Sequence, residues 1–327
     1  MKTKYIAMVA MAAMLVGLTF EGCKKDNDDN NNSNTPGTEQ PTNPGTDPGT
    51  DPGTDPQPSA GGFRNDGASN ALFSVSATTK VRFSKGNLQY RAVPSTWRFA
   101  ENQYDCAGDD NTNASETYTG WIDLYCWGTS GWESGATAYQ PWNIARVMGN
   151  DCMPGGNADN DLTGDYAEAD WAWHNAISNG GNQTHKWRVL TSDEWQYLME
   201  TRANASEKIG LATIGETHGL VILPDSWTAP TGLSLNNECS EYSNNSYTTD
   251  QWTQMENAGA IFLPACGQCT GYSSLTVYSA GQYGNYWSST HYNSSMAYAL
   301  TFMEGGVWDQ NDVSRNAGYS VRPVTAE

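Results

Sequence analysis

Apolar and polar positions divide the chain into three stretches of different texture. The first is an apolar run, Ile6 to Leu18, behind a start that carries Lys2 and Lys4. It is too short to span a bilayer comfortably. The second, Asn30 to Gly62, has no apolar periodicity and holds a Pro-Gly-Thr-Asp repeat between Pro44 and Asp55. Such a composition predicts neither helix nor sheet. The third, from Phe63 onward, alternates between short periodic segments and long polar ones. Period-two alternation predicts strands at Leu72–Ser76 and Lys80–Ser84, then at Leu88–Tyr90 and Trp97–Phe99 after the Gly86-Asn87 turn. Asp105 to Asp165 is irregular.

Three helices follow from start signals. Asp170 to Ile177 forms a short one, ended by Asn179-Gly180-Gly181. Thr191-Ser192-Asp193-Glu194 is a capping box, and Trp195, Leu198 and Met199 then share one face. Thr248 to Gln251 opens the third, which carries Trp252 and Met255 and stops at Gly259. Strands are expected at Gly219–Leu223 and Ala260–Leu263, each closed by Leu-Pro. The last 45 residues read as a small antiparallel sheet. Gly284–Ser289 leads in. Tyr298, Leu300 and Phe302 then share one face, with Ala299, Thr301 and Met303 on the other. Glu304-Gly305-Gly306 turns the chain into Val307-Trp308, and Tyr319–Val324 closes it. The expected class is α+β, with short antiparallel sheets, two to three helices and long loops.

The N-terminal texture carries an address. Residues 1–22 read as a lipoprotein signal peptide, because Gly22-Cys23 ends the apolar run and places a thiol where acylation makes it the mature N-terminus. Phe20 and Glu21 depart from the usual residues before such a Cys. Lys24-Lys25-Asp26-Asn27-Asp28-Asp29 resembles the surface-export signal of Bacteroidetes lipoproteins. That implies an outer-membrane, lipid-anchored protein at the cell surface. Residues 23–62 are then a stalk, reaching on the order of 35 Å as a flexible coil, and residues 63–327 are the head.

Charge changes the picture next. The chain has 327 residues, with 17 Lys+Arg against 36 Asp+Glu, a net −19. The head alone holds 13 basic and 28 acidic residues, near −15. An acidic chain of this kind does not bind nucleic acid through a basic face. Trp 13 and Tyr 17 are many for a chain only 16% charged, which argues against general disorder. Six Cys remain in the head: Cys106, Cys126, Cys152, Cys239, Cys266 and Cys269. In an exported chain they permit up to three disulfides in 15 pairings. Cys266-Gly267-Gln268-Cys269 opens no helix, so no dipole lowers a thiol pKa there. His174, His185, His218 and His291 are scattered, and no Gly-x-Ser-x-Gly elbow occurs. The expectation is a binder and not an enzyme.

Several segments resemble a secreted paralogous family of Bacteroidetes and Fibrobacter. They are Val81-Arg82-Phe83-Ser84-Lys85-Gly86-Asn87-Leu88-Gln89-Tyr90, Trp187-Arg188-Val189-Leu190-Thr191-Ser192-Asp193-Glu194-Trp195, Phe262-Leu263-Pro264-Ala265, Tyr286-Trp287-Ser288-Ser289-Thr290 and Arg315 through Val324. The resemblance implies the C-type-lectin-like fold shared with formylglycine-generating enzymes. The C-terminal signature also resembles the variable proteins of diversity-generating retroelements, which bind ligands through mutagenised C-terminal positions. Between Trp287 and Arg322 the outward positions are expected to hold His291, Tyr292, Asn293, Ser295, Asp309, Gln310, Asn311, Asp312, Ser314 and Asn316, and the expected ligand-binding residues are these without Ser314 and with Trp308. Tyr, Ser and Asn suit adaptable contact surfaces. The expected partner is an extracellular glycan or protein, with the membrane reached through the lipid anchor only and no nucleic acid bound. The alternatives are a formylglycine-generating-type enzyme and a structural, fimbria-associated surface component.

No cofactor is expected, calcium being the one weak candidate. Asp159, Asp161 and Asp170 fall at positions 1, 3 and 12 of a calcium-loop pattern, with Thr163 and Gly164 between. The competing reading is an Asx-rich turn that caps a helix. The Glu-Pro-Asn and Trp-Asn-Asp motifs of calcium-dependent lectins are not completed by Gln140-Pro141-Trp142 and Trp308-Asp309.

Overall fold

The computed structural model describes residues 62–144, 152–271 and 273–327. The expected signal peptide, Cys23 and the stalk up to residue 61 lie outside the described residues. The head opens with β1 (Phe73–Ser74) and β2 (Lys80–Phe83), then the hairpin β3 (Leu88–Arg91) and β4 (Thr96–Phe99). A long loop region leads to α1 (Trp171–His174) and α2 (Ser192–Gln196), the latter continuing into a π-turn at Tyr197–Thr201. Then come β5 (Ile209–Ile214), β6 (Thr217–Ile222), β7 (Ser246–Tyr247), α3 (Thr249–Asn257) and β8 (Ile261–Pro264). The remaining strands are β9 (Gln268–Thr270), β10 (Thr276–Tyr278), β11 (Gly284–His291), β12 (Met296–Met303), β13 (Gly306–Ser314) and β14 (Val324–Ala326). The strands form small sheets ordered β1-β2-β14, β7-β5-β6-β8 and β11-β12-β13, plus the pairs β3-β4 and β9-β10. Every strand pair is antiparallel except β5–β7. The class is α+β.

Local chemistry explains the boundaries. Both capping boxes form: the Glu194 amide donates to Thr191 Oγ1 while Glu194 Oε2 accepts from the Thr191 amide, and Thr248 and Gln251 repeat the exchange. The first helix is shorter than its sequence pattern. Asp170 caps it by accepting from the Ala172 amide, but Asn175 leaves helical geometry and ties its side chain back to the carbonyls of Trp171 and Ser130. β5 was not foreseen. It pairs with β6 through the two-residue turn Gly215-Glu216, where Gly215 takes φ +60°. The extended segment Tyr319–Val324 forms only isolated bridges to Tyr125 and Tyr286 before β14 begins.

The core has three clusters: a Trp-rich half and a mixed aromatic and aliphatic half against opposite faces of the sheet β11-β12-β13, and a smaller one that packs α3 against β5–β8. Trp127, Trp171, Trp187 and Trp287 are fully buried in the first. Their indole N–H groups donate to Ser288 O, Thr129 Oγ1, Gly180 O and Tyr125 O, so each ring is buried without an unpaired donor. The second half packs Phe73, Phe83, Trp195, Leu220, Leu263 and Phe302. A disulfide joins Cys106 in the long loop region to Cys266 after β8.

Arg322 is buried where these parts meet. Nε donates to Ser84 O at 3.1 Å, Nη1 to Phe262 O at 3.1 Å and Asn87 Oδ1 at 3.4 Å, and Nη2 to Gln103 Oε1 at 2.6 Å. Gln103 completes the relay: Oε1 also accepts from the Phe262 amide, and Nε2 donates to Glu256 Oε1 and Ala260 O. Burial pulls the Arg322 guanidinium down to about 10, with Tyr286 and Glu256 opposing, so it stays charged at neutral pH. Removing a buried, bonded charge strands its partners. Arg322→Ala is therefore expected to cost about 3–5 kcal/mol and to lower the melting temperature by on the order of 10 °C. Differential scanning calorimetry checks this, and a loss under 2 °C would refute the hub role.

Candidate functional site

The sheet β11-β12-β13 carries the expected contact residues, and its register sorts them by face. Directly paired residues share a face. Ala299 pairs with Asn311 and Thr301 with Trp308, so Leu300 stands against two residues, Asp309 and Gln310. This bulge turns Asp309 and Gln310 to the same side. On the α2 side lie Tyr292, Tyr298, Asp312, Gln310, Asp309 and Val307. On the Trp-core side lie His291, Trp308 and Asn311, in register with Ala297, Thr301 and Ala299. The ten expected residues thus do not form one surface. They are spread over the end of β11, the β11–β12 turn, β13 and the residue Asn316 beyond it, β13 being one of the two terminal strands of the sheet.

Several of them are committed to structure. Asn293 Oδ1 accepts from the amides of Ser295 and Met296 and from Ser295 Oγ, closing the β11–β12 turn. Gln310 Nε2 donates to Ser192 Oγ and Asp193 Oδ1, and its Oε1 accepts from Gln196, so it struts β13 to α2. Asn311 donates to Thr301 Oγ1, and Thr301 Oγ1 donates to Asn285 Oδ1, a polar ladder across all three strands. Asn316 Oδ1 accepts from Ser314 Oγ. His291 Nδ1 lies 2.7 Å from Asp161 Oδ1, which also accepts the His291 amide.

Outward chemistry is concentrated elsewhere. Tyr292 is 45% exposed and Trp308 43%, two of only four large apolar side chains that are exposed among the described residues. Tyr292 meets Tyr298 edge-on at 5.2 Å. Burial raises the Tyr298 phenol above its ordinary pKa, and Tyr292, Asp312 and Asp193 push it further the same way. Along the same side of β13, a cavity of about 590 Å³ opens between the π-turn and the strand. Met199, Glu200, Ile209, Asn237, Val307 and Asp309 line it. Sequence periodicity missed Tyr298, whose alternation with Leu300 and Phe302 reads as core. It also missed the cavity, whose walls come from segments far apart in the chain.

The scaffold beneath is fixed by Arg315, fully buried. Its Nε donates to Met296 O, Nη1 to Cys152 O and Nη2 to Ala158 O. Its guanidinium sits 4.4 Å above the Trp127 ring. The long loop is thereby tied to the end of the β12–β13 pair where Met296 faces Ser314.

The calcium pattern is not assembled. Both Asp170 oxygens are occupied, Oδ1 by the Ala172 amide and Oδ2 by the Val189 amide at 2.7 Å, and Asp161 is held by His291. Among the described residues no group of three or more His, Cys, Asp or Glu could hold a metal ion. The Asx-capping reading accounts for Asp170 instead. The other His also have structural partners: His174 and His185 flank Glu168 at 2.7 and 2.9 Å, and His218 Nδ1 donates to Gly281 O. Cys266 is bonded to Cys106 and not to Cys269.

Residues 235–324 match a family described as a domain of unknown function, DUF8237. The matched stretch contains β7 through β13, Arg315 and Arg322. No curated protein and no solved structure matches the chain.

Burial of two carboxylates sets a pH dependence. Asp170 and Asp123 are both raised to about 6, chiefly by burial, against the hydrogen bonds they accept from backbone amides. The folded state then holds these protons more tightly than the unfolded chain. The stability they contribute is full below about pH 4 and is lost as pH rises through about 6. The head is expected to melt several degrees higher at pH 5 than at pH 7. Asp170→Asn, melted at both pH values, should show about half of that difference; an unchanged difference would place the effect elsewhere.

Proposed function

We propose that the chain is a surface-exposed lipoprotein whose head has the C-type-lectin-like fold and binds an extracellular ligand at the β13 edge. The observation that carries this reading is the exposure of Tyr292 in the β11–β12 turn and of Trp308 on β13, above residues that are fully buried and bonded. Exposed Trp and Tyr supply contact area at low entropic cost, while Arg315, Trp287 and Arg322 hold the frame rigid. The ligand is a glycan or a protein. It is held without a cofactor, and no chemical step is needed. Of the expected contact residues, Tyr292, Trp308 and Asp312 stand apart from the hydrogen-bond networks that fix the fold, whereas Asn293, Gln310 and Asn311 take part in them, so retroelement-driven diversification would fall on the first three. Among the described residues no helix is long and apolar enough to cross a membrane, and anchoring is assigned to lipid on Cys23.

Two experiments test this reading. Replacing Tyr292, Trp308 and Asp312 by Ala together should weaken binding on glycan arrays and to whole cells at least tenfold, since aromatic anchors carry most interface energy. The melting temperature should stay within about 2 °C, as expected of surface changes. Unchanged binding places the site elsewhere. Cys23→Ser should move the protein from the membrane fraction to the soluble fraction and abolish labelling by a palmitate analogue. Continued labelling would reject Cys23 as the anchor.

A further inference from the structure

The charges of the C-terminal half are distributed in a way that selects a partner. From Ile209 to Ser314 the sequence holds nine Asp and Glu and not one Lys or Arg. The next cations, Arg315 and Arg322, are fully buried beneath the sheet and spend their donors on protein oxygens. Around the α2 side of β13 the elements packed against it add acids. α2 brings Asp193, and Glu200 stands at the cavity beside Asp309. The cations contributed from that side are engaged: Arg188 holds Glu194 through two bonds of 2.6 and 2.7 Å, and Arg202 is buried against Asp225. Among the described residues Asp193, Glu200 and Asp312 form no salt bridge.

The aromatic groups stand in this same field. Tyr298 lies between Tyr292 at 5.2 Å and its strand partner Asp312, with Asp193 close enough to act on its phenol. Aromatic faces beside uncompensated carboxylates favour cations, through the ring quadrupole and direct charge pairing together. They disfavour uronic, sialylated or sulfated glycans by the same charge. Such a strip is complementary to a basic protein surface.

Resting on the binding-surface reading above, we propose that the Tyr292–Tyr298–Asp312 strip docks a protein segment rich in Lys and Arg, its cations placed over the two phenol rings and against Asp193 and Asp312. Binding is then electrostatically steered and salt-sensitive, with Asp193 and Asp312 acting as the specificity-determining acids.

The test uses the full lipidated chain in detergent and three fluorescein-labelled 14-residue peptides. They share a Gly/Ser/Tyr frame and differ only in carrying Arg, Gln or Glu at six positions. The Arg peptide should bind, the Glu peptide should not, and the Gln peptide should bind at least tenfold more weakly. Raising NaCl from 50 to 200 mM should weaken the Arg peptide several-fold. Asp193→Asn with Asp312→Asn should weaken it about tenfold. A control pair far from the strip in sequence, Glu241→Gln with Asp250→Asn, should change it less than twofold. Equal losses in both pairs would reduce the effect to net charge and overturn the inference, as would failure of the Arg peptide to bind. A neutral or acidic glycan that binds and is lost in Tyr292→Ala would overturn the basic-partner inference while leaving the surface reading standing. Loss of every interaction with the surface would sink both.

Discussion

A single buried cation holds the head together. Arg322 donates to carbonyls after β2 and in β8 and to the amides of Asn87 and Gln103. These groups come from three segments, 84–87, 103 and 262, that no local propensity brings together. A guanidinium with five donors in a fixed fork suits this role, since each arm meets an oxygen at a set angle. No carboxylate touches it directly. Glu256 acts through the Gln103 amide, whose two donors and two acceptor positions are all occupied. Asn87 extends the network, donating to Tyr286 Oη, which in turn donates to Pro264 O. Replacing the cation with an apolar residue would leave several oxygens facing a dry interior. The folded arrangement is consequently specified by hydrogen-bond satisfaction as well as by apolar burial.

Arg315 does for the sheet what Arg322 does for the core. It stacks on Trp127 and gathers carbonyls from β12 and the long loop, so that loop geometry and strand geometry are fixed in common. The outward side chains of Tyr292 and Asp312 take no part in either network. Changing them leaves the hydrogen bonds of the two arginines intact. That separation is the physical condition under which a surface can vary while its frame stays constant, because stability and recognition draw on different atoms.

Much of this frame was legible in the sequence, and particular residues show why. Thr191 to Glu194 and Thr248 to Gln251 are short-range motifs whose partners lie three residues apart, so pattern alone places them. The alternation of β12 located the sheet. The split of its contact residues was not legible, because a bulge at Asp309-Gln310 reverses the inside-outside order of a strand and leaves no mark in its alternation. β5 was missed because Gly210 and Ala212 interrupt its apolar pattern. Gly210 is needed there: a Cβ would lie 2.4 Å from Asn236 O. Asp170 carried two readings in the sequence, a weak calcium ligand by spacing and a helix cap by its Asx chemistry. The carboxylate caps a helix and holds the Val189 amide. Long-range satisfaction decided between the two, and it cannot be read from spacing. The partner of Cys266 was hidden for the same reason, since 160 residues separate it from Cys106.

The edge position of β13 poses a physical problem of its own. A nine-residue strand with one unpaired side invites pairing with other strands, including those of a second copy. β13 carries two of the devices that oppose this. The bulge breaks its edge into short pieces and twists the strand, and Asp309 and Asp312 put negative charge on either side of the break. Two copies meeting edge to edge would bring these carboxylates together in a head already near −15. Self-association is therefore penalised by the same acids that favour a basic partner. The exposed Trp308 can thus stand on an edge strand without making the protein adhesive to itself. Charge on β13 consequently keeps the edge free, and under the proposed binding function the same charge would select what is admitted to it.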